Sequence, residues 1–178
     1  MTTLHIALTG HRPTKLGGYD ISTDSYKRLQ DDLEQYIAHA LQTHQTVVGH
    51  SGLALGADTI WSKAIFAMKE KHPDRVLFHA EIPFMNQHGR WFKASDINFW
   101  HHQVDNADFQ SVYMDSDETH DNKSVGRALN DRNNGMIDHA DVLLAVWDGS
   151  SSGTGNAVRY AKSKGKTIVF IEPSKYFK

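Results

Sequence analysis

Short segments rich in apolar residues alternate along the chain with longer stretches in which apolar residues recur every three or four positions. The short segments cover residues 4–8, 46–48, 75–82, 109–114, 142–147 and 167–171. Each is too short to cross a membrane and reads as a strand, the run at 142–147 as one buried on both faces. The clearest helical stripe lies in residues 24–42, where Leu29, Leu33, Tyr36, Ile37, Ala40 and Leu41 share one face. A second helix starts at Ala57 and places Ile60, Trp61, Ala64, Ile65 and Met68 together. Residues 90–103 predict a third helix, with an aromatic bias from Trp91 and Phe99. Residues 124–139 predict a fourth with Val125, Leu129, Arg132 and Met136 on its stripe, and another helix follows Gly153. Strands alternating with helices predict one α/β domain over residues 1–178. Its architecture is Rossmann-like, a mostly parallel sheet flanked by helices on both faces.

This pattern places three loops at the C-terminal ends of parallel strands, the edge where open α/β sheets bind ligands. They are Thr9-Gly10-His11-Arg12-Pro13, the stretch from Gly49 to Asp58, and Asp148 to Gly155. The third joins a buried strand to a helix through Gly149, Gly153, Thr154 and Gly155. Small residues let a ligand touch the backbone, and a helix N-terminus offers unpaired N–H groups to an anion. The junction therefore suits a phosphate. The fingerprint G-x-x-x-x-G-K-[ST] is absent, and no G-x-G-x-x-G follows the first strand. P-loop ATPase and ordinary dinucleotide-dehydrogenase readings are thereby set aside.

Composition narrows the function classes. The formal net charge is −2, so no basic excess points to nucleic acid. The chain has no cysteine, which excludes disulfides, thiolate metal sites and thiol catalysis. Neither a signal peptide nor a membrane helix is read, and a cytoplasmic location is expected. There are twelve histidines, yet no H-E-x-x-H or comparable spacing. No dedicated metal site is therefore expected, and no cofactor is required beyond the ligand.

Arg132 lies on an apolar stripe, where an unpaired charge is costly, and is expected to clamp an anion whose loss would cost little folding stability. Gly10, His11, Arg12, Ser51, Gly52, Gly56, Asp58, Asp148, Gly149, Gly153, Thr154 and Gly155 complete the expected binding set. Ser51 and Thr154 suit phosphate oxygens; Asp58 suits a ribose hydroxyl, a catalytic water or a helix cap; Trp147 suits a base or the core.

Four segments together resemble the YpsA-like proteins of the SLOG superfamily. They are Thr9 to Pro13 with Leu16-Gly17-Gly18-Tyr19, Ser51 to Asp58, Arg132 to Asp141, and Gly153-Thr154. The resemblance runs through nearly the whole chain and implies a Rossmann-like nucleotide-binding domain, used as a sensor or binding module, and a homo-oligomer. The aromatic middle, residues 84–123, is the expected interface. The enzymatic alternative within the superfamily is the LOG branch, which hydrolyses the N-glycosidic bond of nucleoside 5′-monophosphates. Its arginine matches Arg132 and its Gly-Thr pair matches Gly153-Thr154, but its glutamate falls on Ala157. Arg132, Asp148, Asp58 and Glu81 are the candidate catalytic residues that remain. A DprA-like single-stranded DNA reading is the weaker alternative, against which the lack of basic excess counts.

Overall fold

The computed structural model describes residues 2–178 and contains β1 (Thr3–Gly10), α1 (Asp24–Ala40), β2 (Thr46–Ser51), α2 (Ala57–Lys71), β3 (Val76–Ile82), α3 (Ala94–Asp105), β4 (Phe109–Val112), α4 (Asn122–His139), β5 (Val142–Val146), α5 (Gly153–Ser163) and β6 (Thr167–Ile171). The six strands form one sheet in the order β4-β3-β2-β1-β5-β6. All five pairings are parallel. The sheet expected as mostly parallel is thus entirely so among the described residues. No helix of the described chain is long and apolar enough to cross a membrane.

The side-chain period of two divides the strands between two cores. Ile6 and Leu8 of β1, Phe78, Ala80 and Ile82 of β3, and Leu144 and Val146 of β5 face α1, α2 and α3. There they meet Leu29, Leu33 and Ile37 of α1, Trp61 and Ile65 of α2, and Trp100 of α3. Ala7 of β1 and Leu143 of β5 face the other way, onto Met136 and Ile137 of α4 and Ala157 and Ala161 of α5. This second core is built largely of small residues, which lets α4 and α5 lie close to the sheet.

The strand order has a consequence for function. The chain steps outward from β1 through β4, then α4 carries it back across the sheet to β5 on the far side of β1. The helices after β1 and β5 therefore leave in opposite directions, and a crevice opens between the C-terminal ends of those two strands. Gly10 and Val146 are direct register partners at that edge.

The middle of the chain is more regular than its composition suggests. The third helix starts at Ala94, four residues later than its aromatic pattern implies, and Trp91 lies before it. Trp91 and Phe99 line a depression of about 370 Å³ with Tyr19, Ile21 and Leu55. These aromatics are used within the chain, while Phe92 is fully exposed. The acidic segment closes with a helix cap. Asp121 accepts from the Ser124 N–H at 2.7 Å, and Ser124 Oγ accepts from the Asp121 N–H at 3.2 Å. This reciprocal pair fixes where α4 begins.

Candidate functional site

Loop 1, after β1, packs directly on the start of α2. The Ala57 N–H donates to the His11 carbonyl at 3.2 Å. Gly56 bends the chain into α2 at φ 103°, and a Cβ there would lie 2.5 Å from the His11 oxygen. A side chain is therefore excluded both by backbone conformation and by space.

Loop 3, after β5, is tied to loop 1 by His11, whose buried ring nitrogen Nε2 lies 2.7 Å from Asp148 Oδ1. Asp148 also accepts from the Ser150 N–H at 2.9 Å. Hydrogen bonds from Ser150 and then from His11 hold its carboxyl well below the ordinary carboxylate range. A depressed folded pKa favours the folded state above the unfolded value of about 4, and the advantage disappears as pH falls through the folded pKa. The melting-temperature difference between the native chain and Asp148→Asn should accordingly be greatest near neutrality and shrink in strong acid. A difference that is constant with pH would show that the hydrogen-bonded Asp148 carboxylate is not its source.

Helix α5 begins at the same edge. Ser152 Oγ accepts from the Gly155 N–H at 3.1 Å. The Gly153 and Thr154 N–H groups find no acceptor among the described residues. A Cβ on Gly153 would meet open space.

Arg132 approaches from α4 and is 96% buried. Its Nη1 donates to the Gly52 carbonyl and its Nε to Asn133 Oδ1 at 2.9 Å, so part of the fork is spent holding loop 2. A Cβ on Gly52 would fall onto the guanidinium itself. Nη2 has no hydrogen-bond partner among the described residues. Burial, and to a lesser degree the Arg12 charge, lower the Arg132 pKa to about 10, with Asp58 opposing. Asp58 is itself buried. Burial raises its pKa, and the charges of Arg132 and Arg12 oppose that rise.

The result is a cleft of about 280 Å³, between loops 1 and 3, walled by Arg12, Lys15, Asp58, Arg132, Gly153 and Thr154. Gly10 and His11 also line it. Three basic side chains and two free N–H groups converge on a space whose carboxylate, Asp58, is pushed toward its neutral form. Arg12 and Arg132 repel one another there, so an anion between them would relieve a cost already present in the fold.

Several expected site residues lie elsewhere. Ser51 is fully buried; its hydroxyl accepts from Ser62 Oγ at 2.8 Å and from the Leu53 N–H at 3.3 Å, so it supports loop 2 from behind. Gly52 and Gly56 make room for Arg132 and for loop 1, respectively. Gly149 supplies a turn at φ 85°, and the Gly155 N–H belongs to the α5 cap. Trp147 donates from Nε1 to the Ser150 carbonyl at 2.8 Å and lies near Phe170, which braces loop 3. Ala157 is buried in the α4–α5 core. Lys15, absent from the expected set, lines the cleft and donates to Ser150 Oγ at 2.8 Å. Only a turn of 3₁₀ helix at Pro13–Lys15 brings it round, and sequence spacing gave no sign of that turn.

Glu81 is not in the cleft. It sits on the α4 face of the sheet inside a cluster of histidines from four elements. Glu81 Oε1 accepts from His50 Nδ1 at 2.8 Å and His139 Nδ1 at 2.9 Å, with His79 Nε2 at 3.8 Å. Glu81 Oε2 accepts from the Tyr113 hydroxyl at 2.6 Å. Burial alone would raise the carboxyl's pKa, but the bonds from His50, Tyr113 and His139 prevail and hold it at about 2. Burial lowers His79 to about 4, with its imidazole neighbours assisting and Glu81 opposing. His5 Nδ1 lies 2.9 Å from His50 Nε2 and extends the network to β1.

The model of the YspA SLOG family matches residues 6–175. The chain belongs to the YspA SLOG family. A relative from Bacillus subtilis (strain 168), the uncharacterized SPbeta prophage-derived protein YoqJ, is 30% identical over 142 residues, covering 76% of this chain and 81% of YoqJ. Two solved structures share the fold. DNA processing protein A from Streptococcus pneumoniae superposes with a TM-score of 0.65 at 15% identity, over 96% of this chain and 50% of that one. DNA processing protein A from Helicobacter pylori, described for its single-stranded DNA binding mode, gives 0.60 at 18% identity, over 95% and 65%. This SLOG chain thus spans between half and two thirds of the length of those two proteins. Parts of all four motif segments meet around one cleft, although Ser51 and Gly52 support it from behind and Tyr19 lines the separate depression.

Proposed function

We propose that the cleft binds the phosphate of a nucleotide or nucleotide-derived small molecule, and that the protein acts as a binding or sensing module. The observation that carries this reading is the convergence of Arg12, Lys15 and the free Nη2 of Arg132 with the unpaired N–H groups of Gly153 and Thr154. Fixed N–H dipoles and guanidinium groups together match a phosphate's several acceptor oxygens. A cleft of about 280 Å³ suits a small molecule.

Gly153→Val tests this directly. A Cβ at Gly153 has no protein atom within 4 Å, so the variant should fold with nearly native stability. Its branched side chain would occupy the space beside the phosphate-facing N–H groups, and affinity should fall at least about tenfold, or about 1.4 kcal/mol. Native mass spectrometry of the purified chain, followed by calorimetry with a nucleotide panel, supplies the ligand and the measurement. A folded Gly153→Val chain with native affinity would remove loop 3 as the phosphate site.

One observation favours an enzymatic second reading. Asp58 is a cleft carboxyl whose pKa is raised, as a general acid in glycosidic-bond cleavage requires. That reading predicts free base and ribose phosphate from a nucleoside monophosphate, lost in Asp58→Asn. Binding without base release supports the module. Binding of single-stranded DNA with a steep salt dependence, and none of mononucleotides, would overturn both readings.

A further inference from the structure

We infer that His50, His79, Glu81 and His139 form a binding site for a divalent first-row transition metal ion, separate from the cleft. One nitrogen from each imidazole and one Glu81 oxygen all lie within 4.8 Å of one another. The measured separations from Glu81 Oε1 are 2.8 Å to His50, 2.9 Å to His139 and 3.8 Å to His79. Bonds of about 2.0–2.1 Å at tetrahedral angles put neighbouring ligand atoms roughly 3.3 Å apart, so the side chains already stand close to the required spacing. Three imidazoles and a carboxylate, with no thiolate, suit zinc, cobalt or nickel rather than a soft monovalent ion or a hard oxygen-seeking one.

The surroundings are those of a supported ligand set. The second oxygen of Glu81 is held by Tyr113, and Gly135 of α4 leaves room for that ring, since a Cβ there would fall onto it. The far nitrogen of His50 is held by His5, which fixes the ring's orientation and leaves Nδ1 directed at the carboxylate. Such partners orient metal ligands and set their tautomers. His79 would exchange its 2.8 Å contact with Ser111 Oγ for the ion. The three ligand rings lie close together, with centroids 4.6, 5.5 and 5.9 Å apart. Binding requires the Nδ1 protons that His50 and His139 present to Glu81 to move to Nε2, where the His50 proton meets His5 Nδ1. His50 and Glu81 are buried, whereas the His139 side chain is 45% exposed and gives the ion a way in.

A metal here would fasten the last turn of α4 to β2 and β3. Arg132 lies seven residues earlier on α4, about 10 Å along the axis at 1.5 Å per residue. The ion would thus brace the helix that carries the cleft's buried guanidinium.

The test uses the full, untagged chain stripped with chelator. Titration with zinc chloride should show one equivalent bound with a Kd below about 10 μM, and the melting temperature should rise by several degrees. Cobalt(II) should give the visible absorption of a low-symmetry nitrogen–oxygen site. His139→Ala removes a half-exposed ligand and with it one hydrogen bond to Glu81; it should weaken zinc binding by at least about a hundredfold in a chain that still melts cooperatively, though below the native apo chain. His101→Ala serves as the control, because His88 and His101 lie with ring centroids 4.7 Å apart and form the rival surface pair. Native affinity in His101→Ala together with loss in His139→Ala establishes the site. Absence of binding, undiminished binding in His139→Ala, or loss in His101→Ala would each overturn it.

Discussion

Arg132→Ala should lower the stability of this protein by about 3 kcal/mol at pH 7, as well as weakening any anion binding. Three costs combine. The Gly52 carbonyl loses its charged donor in a buried setting, which alone amounts to about 1–3 kcal/mol. The guanidinium fills the space beside Gly52, and its removal leaves a void that Gly52 has no side chain to fill. Asp58 loses the largest positive influence on its carboxyl. The last cost has a signature in pH. Because burial raises the Asp58 pKa in the folded state, the folded chain holds that proton more tightly, and stability declines as pH rises through the window between the unfolded value of about 4 and the folded one. Without Arg132 the folded pKa rises further. The deficit of Arg132→Ala relative to the native chain should therefore be smallest below about pH 4 and grow toward neutrality. Urea denaturation at pH 4 and pH 7 measures both values. Equal deficits would show that Asp58 does not feel Arg132, and a deficit under about 1 kcal/mol at pH 7 would return Arg132 to the role of a dispensable clamp. Arg132→Lys keeps the charge but not the planar fork, and should fall between the two.

Gly10→Ala should cost about 2–3 kcal/mol, a loss of roughly 4–12 °C in melting temperature for a chain of this size. Its Cβ would lie 2.3 Å from the Cβ of Ala57 and 3.0 Å from that of Val146. Neither neighbour is a flexible side-chain end that can swing away. Ala57 is the first residue of α2 and is tethered to loop 1 through the His11 carbonyl, while Val146 ends β5. The methyl group would therefore wedge α2 away from the strand ends and open the floor of the cleft. Adding Ala57→Gly removes the closest clash, and part of the loss should return in the double variant despite glycine's cost at a helix start. A fully tolerated Gly10→Ala would mean that loop 1 and α2 are not packed as described.

Much of the architecture is legible in the residues because it depends on local pattern. Leu29, Leu33 and Ile37 identify α1 from spacing alone, and the run from Val142 to Val146 could lie only in the middle of a sheet. Strand–helix alternation then leaves few topologies. Element edges shifted where local chemistry intervened. Helix α4 begins at Asn122, just after the Asp121 cap, and α3 begins after Trp91 rather than before it.

The site is less legible, for two reasons. A glycine in a loop announces close approach but does not say by what. Gly153 borders open space, whereas Gly52, Gly56 and Gly10 leave room for Arg132, His11 and Ala57. Likewise, a polar residue beside a glycine has two faces to choose from, and Ser51 turned inward to Ser62.

The sequence by itself determined the parallel α/β class and the strand edge at which three glycine-bearing loops gather, because both follow from periods and runs within short windows. Only the tertiary structure decided that Arg132 supports loop 2 as well as facing the cleft, that Lys15 joins the cleft, and that Glu81 leaves it for a cluster with His50, His79 and His139. Those arrangements depend on side chains separated by tens of residues. They are fixed by strand order and by the path of α4 across the sheet, which no local pattern encodes.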